Sequence, residues 1–84
     1  MNAAEIKNFI IENLKNKLQQ FDISHGEIKK DFDFVQSGLL DSMAFVEMIS
    51  EMEQHFNVEI DFEKIDKEDA FTTLRGVNEL FLNA

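Results

Sequence analysis

The chain contains no cysteine, no proline, no tryptophan and no tyrosine, and only three glycines in 84 residues. Without cysteine there is no disulfide framework, no thiolate metal site and no cysteine nucleophile, so any thiol chemistry must use an imported thiol. Without proline, glycine and polar residues are left as the only turn markers. No apolar run approaches the roughly 20 residues that cross a bilayer. The start, Met1 to Lys7, lacks the basic stretch followed by an apolar one that marks an export signal. These absences predict a cytoplasmic protein without membrane insertion. Cations are missing as well: from Asp31 to Glu63 there are nine acids and no lysine or arginine. Such a stretch repels phosphate backbones and attracts basic protein surfaces over about 10 Å, which argues against nucleic acid as a partner. The length leaves room for one core, so a single domain over residues 1–84 is expected.

The net charge of −9 is unevenly placed. Residues 1–30 carry five lysines against four acids, or +1; residues 31–84 carry Lys64, Lys67 and Arg75 against thirteen acids, or −10. That much negative charge makes a monomer the default expectation, although an acidic surface also serves simple solubility. Apolar side chains make up 44% of the residues, and all the aromatics are the nine phenylalanines, which offer large burial without a polar atom to satisfy.

Helical periodicity appears three times, and the polar–apolar alternation of a sheet never persists. Ile6, Ile10, Leu14, Leu18 and Phe21 share one flank, predicting a first helix over about 3–20. Phe45, Met48, Ile49, Met52 and Phe56 recur at i, i+3, i+4, i+7 and i+11, a core stripe over 42–56. Leu74, Val77, Leu80 and Phe81 mark a last helix, with Thr72 or Thr73 able to cap it. The intervening Asp22–Leu40 reads as a long ordered loop pinned by Phe32, Phe34, Leu39 and Leu40. After Val58 and Ile60, Asp66 can cap one short helical turn through Ala70 that ends at Phe71. The expected fold is therefore all-α, a small bundle of three main helices plus one short one.

Little in the chain suggests catalysis. His25 and His55 are the only histidines, and no carboxylate stands at a helical metal-ligand spacing that would recruit both. No metal site is expected; His55 is assigned to the negative end of its helix and His25 to solvent. A hydrolase built on Ser42 lacks a base near it in sequence. The informative segment is Gly38-Leu39-Leu40-Asp41-Ser42-Met43, where two apolar anchors end the loop and Asp-Ser opens the strongest helix. Ser42 is thereby held where free N–H groups and the helix dipole favour an anion, such as a phosphate esterified to its hydroxyl. Asp41 or Ser42 acting simply as an N-cap explains the same residues.

The wider order of elements bears on that choice. A long helix, a long loop, Leu-Asp-Ser-apolar at a helix start, Glu47, Phe56 closing the helix, Val58-Glu59-Ile60, a short helix and a threonine-capped last helix resemble a phosphopantetheine-dependent acyl carrier protein over about residues 3–82. The resemblance implies that Ser42, with Asp41 as its motif partner, receives 4′-phosphopantetheine from a dedicated transferase. It also implies that the arm's thiol carries acyl or aminoacyl groups as thioesters, which accounts for the absent cysteine. The Gly38–Ser42 motif and the Ile65-Asp66-Lys67-Glu68-Asp69-Ala70-Phe71-Thr72 run look most like D-alanyl and other aminoacyl carrier proteins. Met43 stands where the family commonly has leucine, a volume-conserving exchange, and Asp61 where a proline often follows the isoleucine.

Opposite the core stripe, Met43, Val46, Glu47, Ser50 and Gln54 form an outward strip beginning beside Ser42. Exposed methionine and valine next to carboxylates suit weak, salt-sensitive docking of basic enzymes, with Glu47, Glu51 and Glu53 steering the encounter. The expected partners are a phosphopantetheinyl transferase, an adenylating ligase or other acyl donor enzyme, and an acceptor transferase, the chain itself being non-catalytic. The competing reading is a small helical adaptor that binds proteins through the same strip, Glu51 included, and never carries an arm.

Overall fold

A computed structural model describes residues 1–61 and 71–84, and within them every regular element is helical. Helix α1 spans Ala3–Asn13, α2 Lys15–Gln20, α3 Ser42–Phe56 and α4 Leu74–Leu82, with a 3₁₀ turn at His25–Glu27. The expected all-α bundle, with a long connection between its first and second main helices, is what forms. The proposed turn capped by Asp66 lies outside the described residues apart from its end at Phe71.

Each main helix begins on a polar side chain that satisfies an otherwise orphaned N–H. Asn2 accepts from the Glu5 N–H at 2.9 Å, Asp41 from Ala44 at 2.7 Å, and Thr73 from Gly76 at 3.0 Å. The first expected helix divides at Leu14, whose backbone relaxes to φ −99°, ψ 11°. The ladder nonetheless continues through it, from the Leu14 N–H to the Ile10 carbonyl and from the Leu18 N–H to the Leu14 carbonyl, both 2.9 Å. Helix α3 ends on Asn57 in the left-handed region (φ 55°, ψ 48°), a conformation that asparagine tolerates better than most residues.

The core is built from the predicted stripes. Ile6, Ile10, Leu14 and Leu18 meet Phe45, Met48, Ile49 and Met52 of α3 and Leu74, Val77 and Phe81 of α4. Phe21 is the exception: at 53% exposed it lies past the last turn of α2, off the flank that the periodicity assigned to it. Phe56 is only half-buried, its ring 5.7 Å from Phe9 and 6.2 Å from Phe81. The loop is pinned as expected by Phe34, Leu39 and Leu40, with Phe32 only partly buried against the core, and additionally by Ile28, which is fully buried.

What fixes the loop is a strap to the start of α4. The Phe34 N–H donates to the Thr72 carbonyl (2.9 Å), Leu74 to Phe32 (3.0 Å) and Arg75 to Lys30 (2.9 Å). The Thr72 hydroxyl donates to both carboxylate oxygens of Asp33 at 2.9 Å, while the N–H groups of Val35 and Gln36 donate to Asp33 Oδ1. Of the two threonines able to cap α4, Thr73 does so and Thr72 serves the strap. Burial pushes the Asp33 carboxyl up, but the donors from Gln36, Thr72 and Val35 outweigh it and hold its pKa below the ordinary value. A group depressed in this way stabilises the fold above its unfolded pKa, and that contribution is lost as pH falls through the folded one. Asp33→Ala is expected to cost about 1–3 kcal/mol at neutral pH. In urea denaturation the gap between wild type and variant should narrow as pH drops below the ordinary carboxylate range, about 4. A gap that stays constant down to strong acid would show that the carboxylate's charge contributes nothing.

Candidate functional site

The strap leads directly to the start of α3. The Phe34 carbonyl, one residue from Asp33, accepts from the Leu40 N–H at 2.9 Å, and the Ser37 hydroxyl accepts from the Leu39 N–H at 3.3 Å. Gly38 turns the chain between them at φ 83°, where a side chain would be strained, although a Cβ there would meet nothing within 4 Å. Leu39 and Leu40 then plug into the core at 2% and 3% exposure. Two buried leucines thus anchor the chain immediately before Asp41 and Ser42, both of which are exposed.

The capping question left open by the sequence is resolved by geometry. Asp41 has the extended backbone of an N-cap (φ −80°, ψ 175°) and its carboxylate takes the Ala44 N–H. Ser42 is the first helical residue, and its hydroxyl bonds to no described residue. The first helical backbone bond runs from the Phe45 N–H to the Asp41 carbonyl at 3.0 Å, so the N–H groups of Ser42 and Met43 precede the ladder. A free hydroxyl therefore stands at the positive end of a 15-residue helix, on the solvent side. These features suit a phosphate esterified to Ser42: the oxygen is accessible, the local field favours the anion, and no hydrogen bond within the described fold has to be broken.

The outward strip is also in place. Met43 is 75% and Val46 49% exposed, and Glu47, Ser50 and Gln54 continue along the exposed face. Two of the three carboxylates expected to steer partners are engaged within the chain instead. Glu51 accepts a hydrogen bond from the Asn13 side chain and so ties α3 to the end of α1. The Glu53 carboxylate accepts from the Ile60 N–H at 3.0 Å, while its backbone carbonyl takes the Val58 N–H at 3.1 Å, closing the turn after α3. Glu47 is the one of the three with no bond to a described residue. Sequence spacing places carboxylates on a helix face, but it does not register acceptors consumed by contacts 38 residues apart, as for Glu51.

The histidines are spread over different elements. His25 is exposed in the 3₁₀ turn; His55, also exposed, lays its ring 4.6 Å from that of Phe9 and 4.8 Å from that of Phe56. Neither bonds to Ser42. Among the described residues, no group of three histidine or carboxylate side chains is arranged to hold a metal ion. No described helix is long and apolar enough to cross a membrane.

Comparison with known proteins identifies the family. The profile of the family described as "Phosphopantetheine attachment site" matches residues 13–80, a span containing both Ser42 and the strap that positions it. The D-alanyl carrier protein of Streptococcus suis (strain 98HAH33) is 33% identical over 72 residues, covering 82% of this chain and 91% of that protein. No solved structure matches significantly. With the family profile spanning most of its length and a carrier relative aligned nearly end to end, the chain belongs to the phosphopantetheine carrier protein family.

Proposed function

We propose that the chain is a single carrier domain that holds an acyl or aminoacyl cargo as a thioester on a 4′-phosphopantetheine arm attached to Ser42, and shuttles it between partner enzymes. The observation that carries this reading is the division of labour at the start of α3. Asp41 takes the capping role, leaving the Ser42 hydroxyl exposed and uncommitted. When bound, the arm supplies the thiol that the chain lacks. The chain's own part is presentation. Ser42 offers its oxygen to the pantetheine-bearing phosphorus of coenzyme A and gives up its proton to a base on the transferase. The pyrophosphate bond breaks with adenosine 3′,5′-bisphosphate leaving, and the N–H groups of Ser42 and Met43 favour the added negative charge. Met43 and Val46 give partner enzymes an adaptable apolar grip.

On this reading the protein is non-catalytic and cytoplasmic. It is a substrate in turn for a phosphopantetheinyl transferase, an adenylating ligase or other acyl donor, and an acceptor transferase. The name of the Streptococcus suis relative makes D-alanine the first cargo to test. Incubation with coenzyme A and a broad-specificity phosphopantetheinyl transferase should raise the intact mass of the chain by one arm. A mass that never changes would favour the arm-free adaptor.

Of the acids on the strip, Glu47 should dominate steering. Glu47→Lys is expected to slow arm loading roughly threefold or more at low ionic strength, with the deficit shrinking as salt is added. Equal rates for wild type and variant at low salt would remove Glu47 from the docking face.

A further inference from the structure

Away from α3, the first turns of α1, the segment Ile28–Lys30 and the start of α4 enclose an open cleft of about 360 Å³. Ala3 and Ala4 give it exposed apolar surface, and Ile28 and Leu74 lie beneath, almost fully buried. Lys7, Lys29 and Lys30 stand around it, and none of its lining residues is acidic, in a chain with seventeen acids. Lysine stems lie readily along apolar walls and leave their ammonium groups in water at the rim. The last lining residue, Asn78, is half-buried, yet its Oδ1 is buried without a hydrogen-bond partner. An acceptor in that state is unfavourable by about 1–3 kcal/mol until a donor reaches it. Because Asn78 lines the cleft, rotation about its side-chain bonds would bring this acceptor to an occupant.

Apolar floor, cationic rim and unsatisfied acceptor together describe a ligand. We propose that this cleft binds a small amphipathic organic anion, with its carboxylate or phosphate at the lysine rim, its aliphatic body on Ala3, Ala4 and the lysine stems above Ile28 and Leu74, and a hydroxyl donating to Asn78. The volume lies at the lower end of the range for small-molecule sites, about 300–1,000 Å³. Charge selects a small ligand over an anionic surface. A molecule inside the cleft sits within a Debye length, about 8–10 Å, of three lysines, whereas an extended surface meets the field of the whole chain at −9. The site shares no residue with α3 and is independent of what Ser42 carries.

The test is a titration of the isotope-labelled full chain at low salt, followed by amide and Asn side-chain NMR shifts, with four probes: 6-hydroxyhexanoate, hexanoate, inorganic phosphate and 1-hexanol. Saturable shifts at Ile28, Lys29, Lys30 and the Asn78 carboxamide are expected. 6-Hydroxyhexanoate should bind about fivefold more tightly than hexanoate, the equivalent of one hydrogen bond. Both should exceed phosphate and hexanol, which each offer half of the recognition. In Asn78→Leu the preference for the hydroxyl disappears while hexanoate still binds. In the double variant Lys29→Gln, Lys30→Gln, whose changes lie at exposed positions, both carboxylates weaken about tenfold and lose most of their salt dependence. The proposal is overturned if neither carboxylate gives saturable shifts at these residues, if phosphate or hexanol binds as tightly as 6-hydroxyhexanoate, or if the lysine variant binds as wild type does.

Discussion

Ser42→Ala should abolish arm loading completely and leave stability unchanged within about 0.5 kcal/mol, the usual range for surface substitutions. Loss of loading follows from chemistry: alanine has no oxygen to attack the phosphoryl donor. Retention of the fold follows from the structure. The hydroxyl is exposed, bonds to no described residue, and is not the cap of α3; Asp41 holds that position through its 2.7 Å contact with Ala44. Alanine at a first helical position is also a good helix former. Intact mass after incubation with coenzyme A and transferase, alongside urea denaturation followed by circular dichroism, reads both halves. The other serines are worse placed. Ser24 precedes only the three-residue 3₁₀ turn, where the Glu27 carboxylate already takes its N–H; Ser37 donates to the Phe34 carbonyl and accepts from the Leu39 N–H within the turn; and Ser50 lies mid-helix, away from free N–H groups. A Ser42→Ala chain that still gains an arm would move the attachment to one of these and undo the proposed role of the α3 terminus.

The features behind that expectation were unequally legible in the sequence. Helical stripes could be read because burial on one side of a helix repeats every three or four residues. Phe45, Met48, Ile49 and Met52, and likewise Leu74, Val77 and Phe81, are buried where the periodicity put them. The Asp-Ser pair could be read as a helix start, but not which residue capped it, because both side chains are competent acceptors. The strap was invisible. Asp33 and Thr72 are 39 positions apart, and an Asp in a loop carries no mark of the partner it will find. The same holds for Asn13 with Glu51 and for Glu53 with Ile60, contacts that turn apparent surface charges into structural acceptors. Phe21 erred in the other direction: it continued the stripe in sequence, but α2 ends at Gln20 and Asp22 takes φ 55°, so the ring leaves the core flank. Periodicity describes a helix only while the helix lasts.

Phe45→Ala should be a highly damaging core truncation, at about 3–5 kcal/mol, and worse than Phe56→Ala. Phe45 is 2% exposed in the first turn of α3, and its ring lies 6.0 Å from that of Phe71, next to the strap. Removing it leaves a cavity between the helix that carries Ser42 and the segment that anchors the loop. Phe56, at the other end of α3, is half-buried and has already given part of its ring to solvent, so Phe56→Ala should cost less. A chain of this length has a total stability of roughly 4–13 kcal/mol, at about 0.05–0.15 kcal/mol per residue. The Phe45 loss is thus enough to leave a large unfolded fraction at the lower end of that range. Urea midpoints compared by circular dichroism measure it, and a Phe45→Ala cost no greater than that of Phe56→Ala would refute the ranking. The two large predictions also separate in their cause. Phe45→Ala lowers arm loading only by depleting folded protein, so an excluded osmolyte such as trimethylamine N-oxide, which favours the compact state, should restore it. Ser42→Ala should stay unloaded under the same conditions, because folding returns a helix terminus that has no oxygen to modify.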